Sequence, residues 1–253
     1  MWHGFDSIVL IDENGTFYTA SNDGIIKRWQ ENATEGEKIN CPCNQCSRVW
    51  FDSEKQDLYI VERYRSHVIK CNINTSTTIT VAGITGTDGS SNETLSYPYT
   101  LYVNNKRDMY IADLNNQRIQ KWTRNARTGI TIAGQTMKTE QSNASLSRPH
   151  DVIVDKNGFI YIADTINHRI LRWKEGESQG DVLCGISSES LFFELFHYKS
   201  QFIDESGNST SHLNRPKSLA FDFKGNLYVA DVGNKRIQKF TINNSACSLP
   251  ERT

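Results

Sequence analysis

The sequence predicts an all-β fold: a β-propeller of four-stranded antiparallel blades. Three observations predict it. A Tyr-Ile/Val-Ala-Asp run recurs at Tyr110, Tyr161 and Tyr228, each time with an Arg-Ile pair beginning five residues after the Asp. Short β-branched apolar stretches alternate with turn signals throughout. A further Ile-Thr-Val/Ile-Ala-Gly stretch ends the second and third repeats, at Ile79 and Ile130. Self-similarity with fixed offsets inside each copy marks a repeat architecture, although the spacing between copies varies, and four short strands per unit repeated radially make a propeller blade.

The repeats are read at about 4–40, 46–83, 96–134, 147–185 and 214–242, with an insertion at 186–213. In the clearest copy, Asp151 to Asp155 is a β-branched strand that follows Pro149 and ends at the turn Lys156-Asn157-Gly158. Asn-Gly supplies the positive φ that a tight hairpin needs. Phe159 to Ala163 is the second strand, Thr165 to His168 a polar turn, Arg169 to Trp173 the third strand and Gly180 to Gly185 the fourth. Val152, Val154, Ile160, Ile162, Leu219 and Phe221 are expected to pack blade to blade. The fifth repeat reaches Phe240 with no convincing fourth strand in Thr241 to Thr253, so the expectation is a five-bladed ring or a six-bladed propeller lacking a blade. The aromatic segment 191–198 inside the insertion reads as a packed loop.

The 253 residues suit one large all-β domain, and the net charge of −1 gives no long-range field toward nucleic acid or an anionic membrane. No apolar run approaches the roughly 20 residues of a membrane span. Residues 1–10 show neither the basic nor the apolar region of a signal peptide. Cys41, Cys43, Cys46, Cys71, Cys184 and Cys247 are expected to pair as disulfides, and the sequence does not choose the connectivity. A zinc site at Cys41, Cys43, Cys46 and Cys71 lacks the paired knuckles of common structural zinc sites. Sequons for N-glycosylation begin at Asn14, Asn32, Asn74, Asn92, Asn143, Asn208 and Asn243, all in segments read as turns or loops. Together these features favour an extracellular or secreted chain, with the cytoplasm as the alternative.

Asp113, Asp164 and Asp231, with Glu62 in a variant copy, end the second strands. Repeat symmetry places them equivalently, where a set of carboxylates suits a cation or a basic ligand. Arg118, Arg169 and Arg236 follow five residues later, across one hairpin, so a structural Asp–Arg pair is the favoured reading.

Tyr161-Ile-Ala-Asp164 with Asn167-His168-Arg169-Ile170, and Tyr228-Val-Ala-Asp231 with Asn234-Lys235-Arg236-Ile237, resemble NHL repeats. Two of the three letters of the family's Asn-His-Leu signature stand at Asn167-His168. The resemblance implies a propeller, usually six-bladed, and covers nearly the whole chain. It implies three functional settings: a protein- or peptide-binding platform, a substrate-recruiting module of a ubiquitin ligase whose chemistry lies elsewhere, or a peptide-amidating lyase with a histidine-bound axial zinc. His168 matches one ligand position of that lyase. The equivalent residues Ser66, Gln117 and Lys235 ligate zinc poorly, and His150 and His212 have no matching partners. Some NHL domains bind single-stranded RNA on a basic face. Here Arg118, Lys121, Arg124 and Arg127 cluster near the third repeat, but the net charge makes nucleic acid the lesser expectation. No G-x-S-x-G, H-E-x-x-H or P-loop is present. The sequence is therefore read as a non-catalytic scaffold without cofactor or catalytic and metal-binding residues, engaging a protein or peptide through its blade-end loops.

Overall fold

The computed structural model describes residues 8–12, 15–21, 24–139, 142–185, 212–243 and 246–248. Blade 1 contains β1 (Ile8–Ile11), β2 (Phe17–Ala20), β3 (Ile26–Trp29) and β4 (Glu37–Ile39). Blade 2 contains β5 (Cys46–Asp52), β6 (Asp57–Glu62), β7 (His67–Asn72) and β8 (Thr78–Gly83). Blade 3 contains β9 (Pro98–Val103), β10 (Met109–Asp113), β11 (Arg118–Trp122) and β12 (Ile130–Gly134). Blade 4 contains β13 (Pro149–Val154), β14 (Phe159–Asp164), β15 (Arg169–Lys174) and β16 (Asp181–Gly185). Blade 5 contains β17 (Pro216–Phe221), β18 (Leu227–Asp231), β19 (Arg236–Asn243) and β20 (Ala246–Ser248). In each sheet the strands lie in chain order, joined as successive antiparallel hairpins. The fold is a β-propeller with five blades among the described residues.

One expectation is corrected. The fifth repeat has a fourth strand: β20 pairs antiparallel with β19, Ile242 opposite Cys247. Cys-Ser offers no β-branched pattern, so backbone pairing rather than propensity makes this strand. The aromatic segment 191–198 lies outside the described residues.

Blades 2 to 5 turn by similar local chemistry. The first hairpin is held by an Asx turn: Asp155 Oδ1 accepts N–H bonds from Asn157 and Phe159, and Gly158 takes φ +83°. Asp222 does the same for Lys224 and Asn226. Between the second and third strands lies a single 3-10 turn, at Arg63–Arg65, Leu114–Asn116, Thr165–Asn167 and Val232–Asn234. A left-handed residue closes each turn: Ser66, Gln117, His168 and Lys235.

Contacts gather into two compact units, one of Met1–Ile111 with Lys121–Ile130, the other of Ala112–Gln120 with Thr131–Thr253. In the first unit β6 is buried along its whole length. Because side chains alternate across a strand, Leu58 and Ile60 join one apolar cluster with Tyr18, Ile26 and Val49. Tyr59 and Val61 join another with Leu101, Met109 and Trp122. Cys41–Cys71 and Cys43–Cys46 are disulfides within the first cluster. In the second unit Val152, Val154, Ile160, Ile162 and Leu219 are buried, and the half-buried Phe221 meets Tyr161 edge-on at 5.0 Å. Cys184 is disulfide-bonded as well.

Candidate functional site

The repeated acids are buried and internally bound. Asp164 Oδ2 accepts from Arg169 Nε at 2.8 Å and from Asn167 Nδ2 at 2.9 Å, while its Oδ1 accepts the Ser147 N–H at 2.6 Å. Asp231 repeats this with Arg236, Asn234 and the Asn214 N–H. Asp113 accepts from Arg118 and Asn116. The arginines are held in turn: the Arg169 guanidinium donates to Asn143 Oδ1 and to the carbonyls of Ser142 and Ser145. In blade 2 the pair is Glu62 and His67, Oε2 to Nε2 at 2.5 Å, with the Asn44 N–H on Glu62 Oε1 and Thr85 Oγ1 on His67 Nδ1. A carboxylate with its lone pairs taken this way cannot also ligate a cation without breaking its blade.

The left-handed turn residues link consecutive blades. Ser66 Oγ accepts the Tyr97 N–H at 3.2 Å, Gln117 Oε1 the Arg148 N–H at 2.6 Å, and His168 Nδ1 the Arg215 N–H at 3.1 Å. Tyr97, Arg148 and Arg215 are themselves left-handed and precede the prolines that open β9, β13 and β17. His168 is thus half-buried in a turn, with Nδ1 acting as an acceptor. His150 Nδ1 lies 2.9 Å from the Arg148 carbonyl oxygen, and the His212 carbonyl accepts from Arg236. Among the described residues no three His, Cys, Asp or Glu side chains gather where they could hold a metal ion.

Two grooves lie beside the hairpin tips. One, in the second unit, is an aromatic cleft of about 650 Å³ lined by Phe159, Tyr161, Phe221 and Phe223, the last 94% exposed. Its cations Lys156, Arg172 and Lys224 are nearly balanced by Asp155 and Asp222. Tyr161 donates its hydroxyl to Asp155, and burial followed by that neighbouring charge pushes its pKa up to about 12. The other, in the first unit, is a groove of about 560 Å³ between blades 2 and 3. Lys55, Lys70, Arg107, Arg124 and Arg127 line it against one carboxylate, Asp57. Arg107 holds the left-handed position that Gly158 holds in blade 4, with φ +63°. From there it reaches blade 2, bonding Asp52 at 2.6 Å and Glu54. Lys70 pairs with Asp57 at 3.3 Å. Arg124 and Arg127 are exposed on the turn after β11.

Of the basic residues singled out from the sequence, the structure separates two pairs. Arg118 is buried on Asp113, and Lys121 pairs with Asp108 at 3.9 Å. Arg124 and Arg127 line the groove. Sequence reasoning quoted Asn167 and Asn234 as signature letters without giving them a role, and it did not name Asn116, although each stands three residues after its Asp and two before its Arg. It also missed Lys55, Lys70 and Arg107, which no local spacing connects.

A model of the NHL repeat matches residues 146–173 and 213–240. Among curated proteins, a probable peptidyl-alpha-hydroxyglycine alpha-amidating lyase, pgal-1, of Caenorhabditis elegans is 26% identical over 146 residues, covering 57% of this chain and 37% of that protein. The chain therefore spans little more than a third of that relative's length. Among solved structures, an auxiliary nutrient binding protein from Bacteroides ovatus superposes with TM-score 0.67 at 15% identity, over 92% of this chain and 58% of that one. A chain of a nidogen/laminin complex gives TM-score 0.65 at 12% identity, over 92% and 74%. Virginiamycin B lyase from Staphylococcus aureus gives 0.58 at 11% identity, over 95% and 72%. At these identities the likeness is one of fold.

Proposed function

We propose that this chain, which carries NHL repeats on a five-bladed β-propeller, is a non-catalytic binding module that takes a protein or peptide partner on its blade-end loops. One observation carries the reading. The polar groups that recur in blades 2 to 5 are engaged in holding the blades, whereas the hairpin tips present grooves with exposed side chains. Surface loops on a rigid scaffold are where binding residues concentrate. The lyase named among the relatives is the less supported reading, because the residues that match His168 in position are Ser66, Gln117 and Lys235. The ubiquitin-ligase setting is also less supported, because disulfides persist in oxidising compartments and the reducing cytosol opposes them. The same disulfides favour an extracellular setting. No helix among the described residues is long and apolar enough to cross a membrane.

The test is intact mass under non-reducing conditions with metal analysis on the same sample, followed by selection from an unbiased displayed-peptide library. Intact disulfides, no stoichiometric zinc and selected peptides that compete with one another support the module. Stoichiometric zinc together with lyase turnover, or a library from which nothing is retained, overturns it.

A further inference from the structure

We propose that the groove between blades 2 and 3 receives an extended acidic peptide segment, with apolar residues among its carboxylates. The inference rests on the binding-module reading and names the class of partner. Charge is the first argument. Five cations line the groove against Asp57, and cations still outnumber acids once Asp52 and Glu54, which clamp Arg107, are included. This stands on a chain whose net charge is −1, so the excess is local. The corresponding groove in the second unit has no such excess. Arg124 and Arg127 form no ion pair among the described residues and are exposed, so the fold does not account for them. A one-signed cleft attracts an opposite charge and orients it.

Shape and polarity are the second argument, and they favour a peptide over a sulfated polysaccharide. Five consecutive residues, Ile79 to Gly83, line the groove, and Tyr59, Lys70 and Ile79 form one cross-strand row, so the groove runs over the face of blade 2 out to its edge strand β8. As the last strand of its sheet, β8 carries a row of backbone groups that no strand of that sheet takes. Such an edge accepts an extended chain. Ile79 is 50% exposed and, with the half-buried Val81 and Ala126, gives the groove an apolar strip. An acidic peptide with interspersed leucines matches both the strip and the cations, whereas a sulfated sugar chain matches only the cations.

The test uses the full chain and three fluorescent probes: a glutamate-rich peptide with interspersed leucines, its glutamine-for-glutamate twin, and a heparin fragment. The acidic peptide should bind, the twin much more weakly, and added salt should weaken binding. The double variant Arg124→Glu/Arg127→Glu alters two exposed turn residues and should weaken the acidic peptide by on the order of tenfold or more. The variant Lys156→Glu/Lys224→Glu, in the other groove, should leave it unchanged. Equal affinity for the twin, an unaffected Arg124/Arg127 variant, or binding of the heparin fragment alone overturns the proposal. If library peptides instead bind in a manner lost in Phe223→Ala, this inference fails while the binding-module reading stands.

Discussion

Asp164 has no exposed surface, and its carboxylate is held by Arg169, Asn167 and the Ser147 N–H. Removing a partner from a buried ion pair leaves an uncompensated charge, which costs about 3–5 kcal/mol. Arg169→Ala should therefore lower unfolding stability by that order in urea titration. Arg236→Ala should cost clearly less, because the Arg236 side chain is 24% exposed and water can replace it. Equal losses would contradict the account. Glu62 carries a pH signature. Burial pushes its carboxyl up, but the hydrogen bonds from His67 and the Asn44 N–H, then the charges of His67 and Arg65, outweigh burial and hold it below the ordinary carboxylate range. A depressed carboxylate stabilises the fold above the usual glutamate pKa of about 4.3. That contribution is lost as pH falls through the folded value. Glu62→Gln should lower stability near neutrality and flatten the acid limb, read from urea midpoints across pH; parallel curves for the two proteins would sink this. The Asp–Arg pairs were legible because both partners lie within one hairpin. In blade 2 the same offset of five joins Glu62 to His67, a pairing that the change of residue types obscured and the strand register makes plain.

At the scale of the element, burial depends on whether one face of a strand is covered or both, and the burial of both faces of β6 explains why Leu58 to Val61 reads as a continuous apolar run. A second spacing is written in the third and fourth strands. Trp29 and Gly36, Trp122 and Gly129, Trp173 and Gly180 are each seven residues apart. A Cβ on Gly180 would lie 2.6 Å from the Trp173 ring and 3.0 Å from the Arg172 carbonyl oxygen. Gly180→Ala should thus cost about 1–3 kcal/mol by overpacking. By contrast, a Cβ on Gly158 meets nothing within 4 Å, so Gly158→Ala carries only the left-handed backbone penalty of about 1–2 kcal/mol. Thermal or urea unfolding of both variants checks the contrast, with loss of the Trp173 fluorescence environment expected for Gly180→Ala alone. In blade 2 the tryptophan position is Cys71, where the Cys41–Cys71 disulfide takes over. Closing a loop of this size contributes about 3–4 kcal/mol.

At the scale of the whole molecule, the sequons separate by environment. Asn32, Asn74 and Asn92 are exposed in turns. Asn143 is half-buried, its Oδ1 bound by Arg169 and its carbonyl by the Gly180 N–H. Asn14, Asn208 and the side chain of Asn243 lie outside the described residues. Expressed in a secretory host, the chain should carry glycans at Asn32, Asn74 and Asn92 and not at Asn143. Peptide mapping after enzymatic deglycosylation checks this, and an occupied Asn143 or three bare turns would contradict it. The sequence by itself determined the repeat, the strand order within each blade, and the Asp and Arg that brace it, because those signals are local: a period of two, a turn residue, an offset of five. Only the tertiary structure decided the rest. The fourth strand of blade 5 has little β propensity and exists through its pairing with β19. The basic groove assembles Lys55, Lys70, Arg107, Arg124 and Arg127 from separate turns and strands, and one of its walls depends on an arginine standing where blade 4 has glycine. Charges so far apart along the chain become neighbours through the packing of one blade on the next, which no spacing within a single repeat encodes.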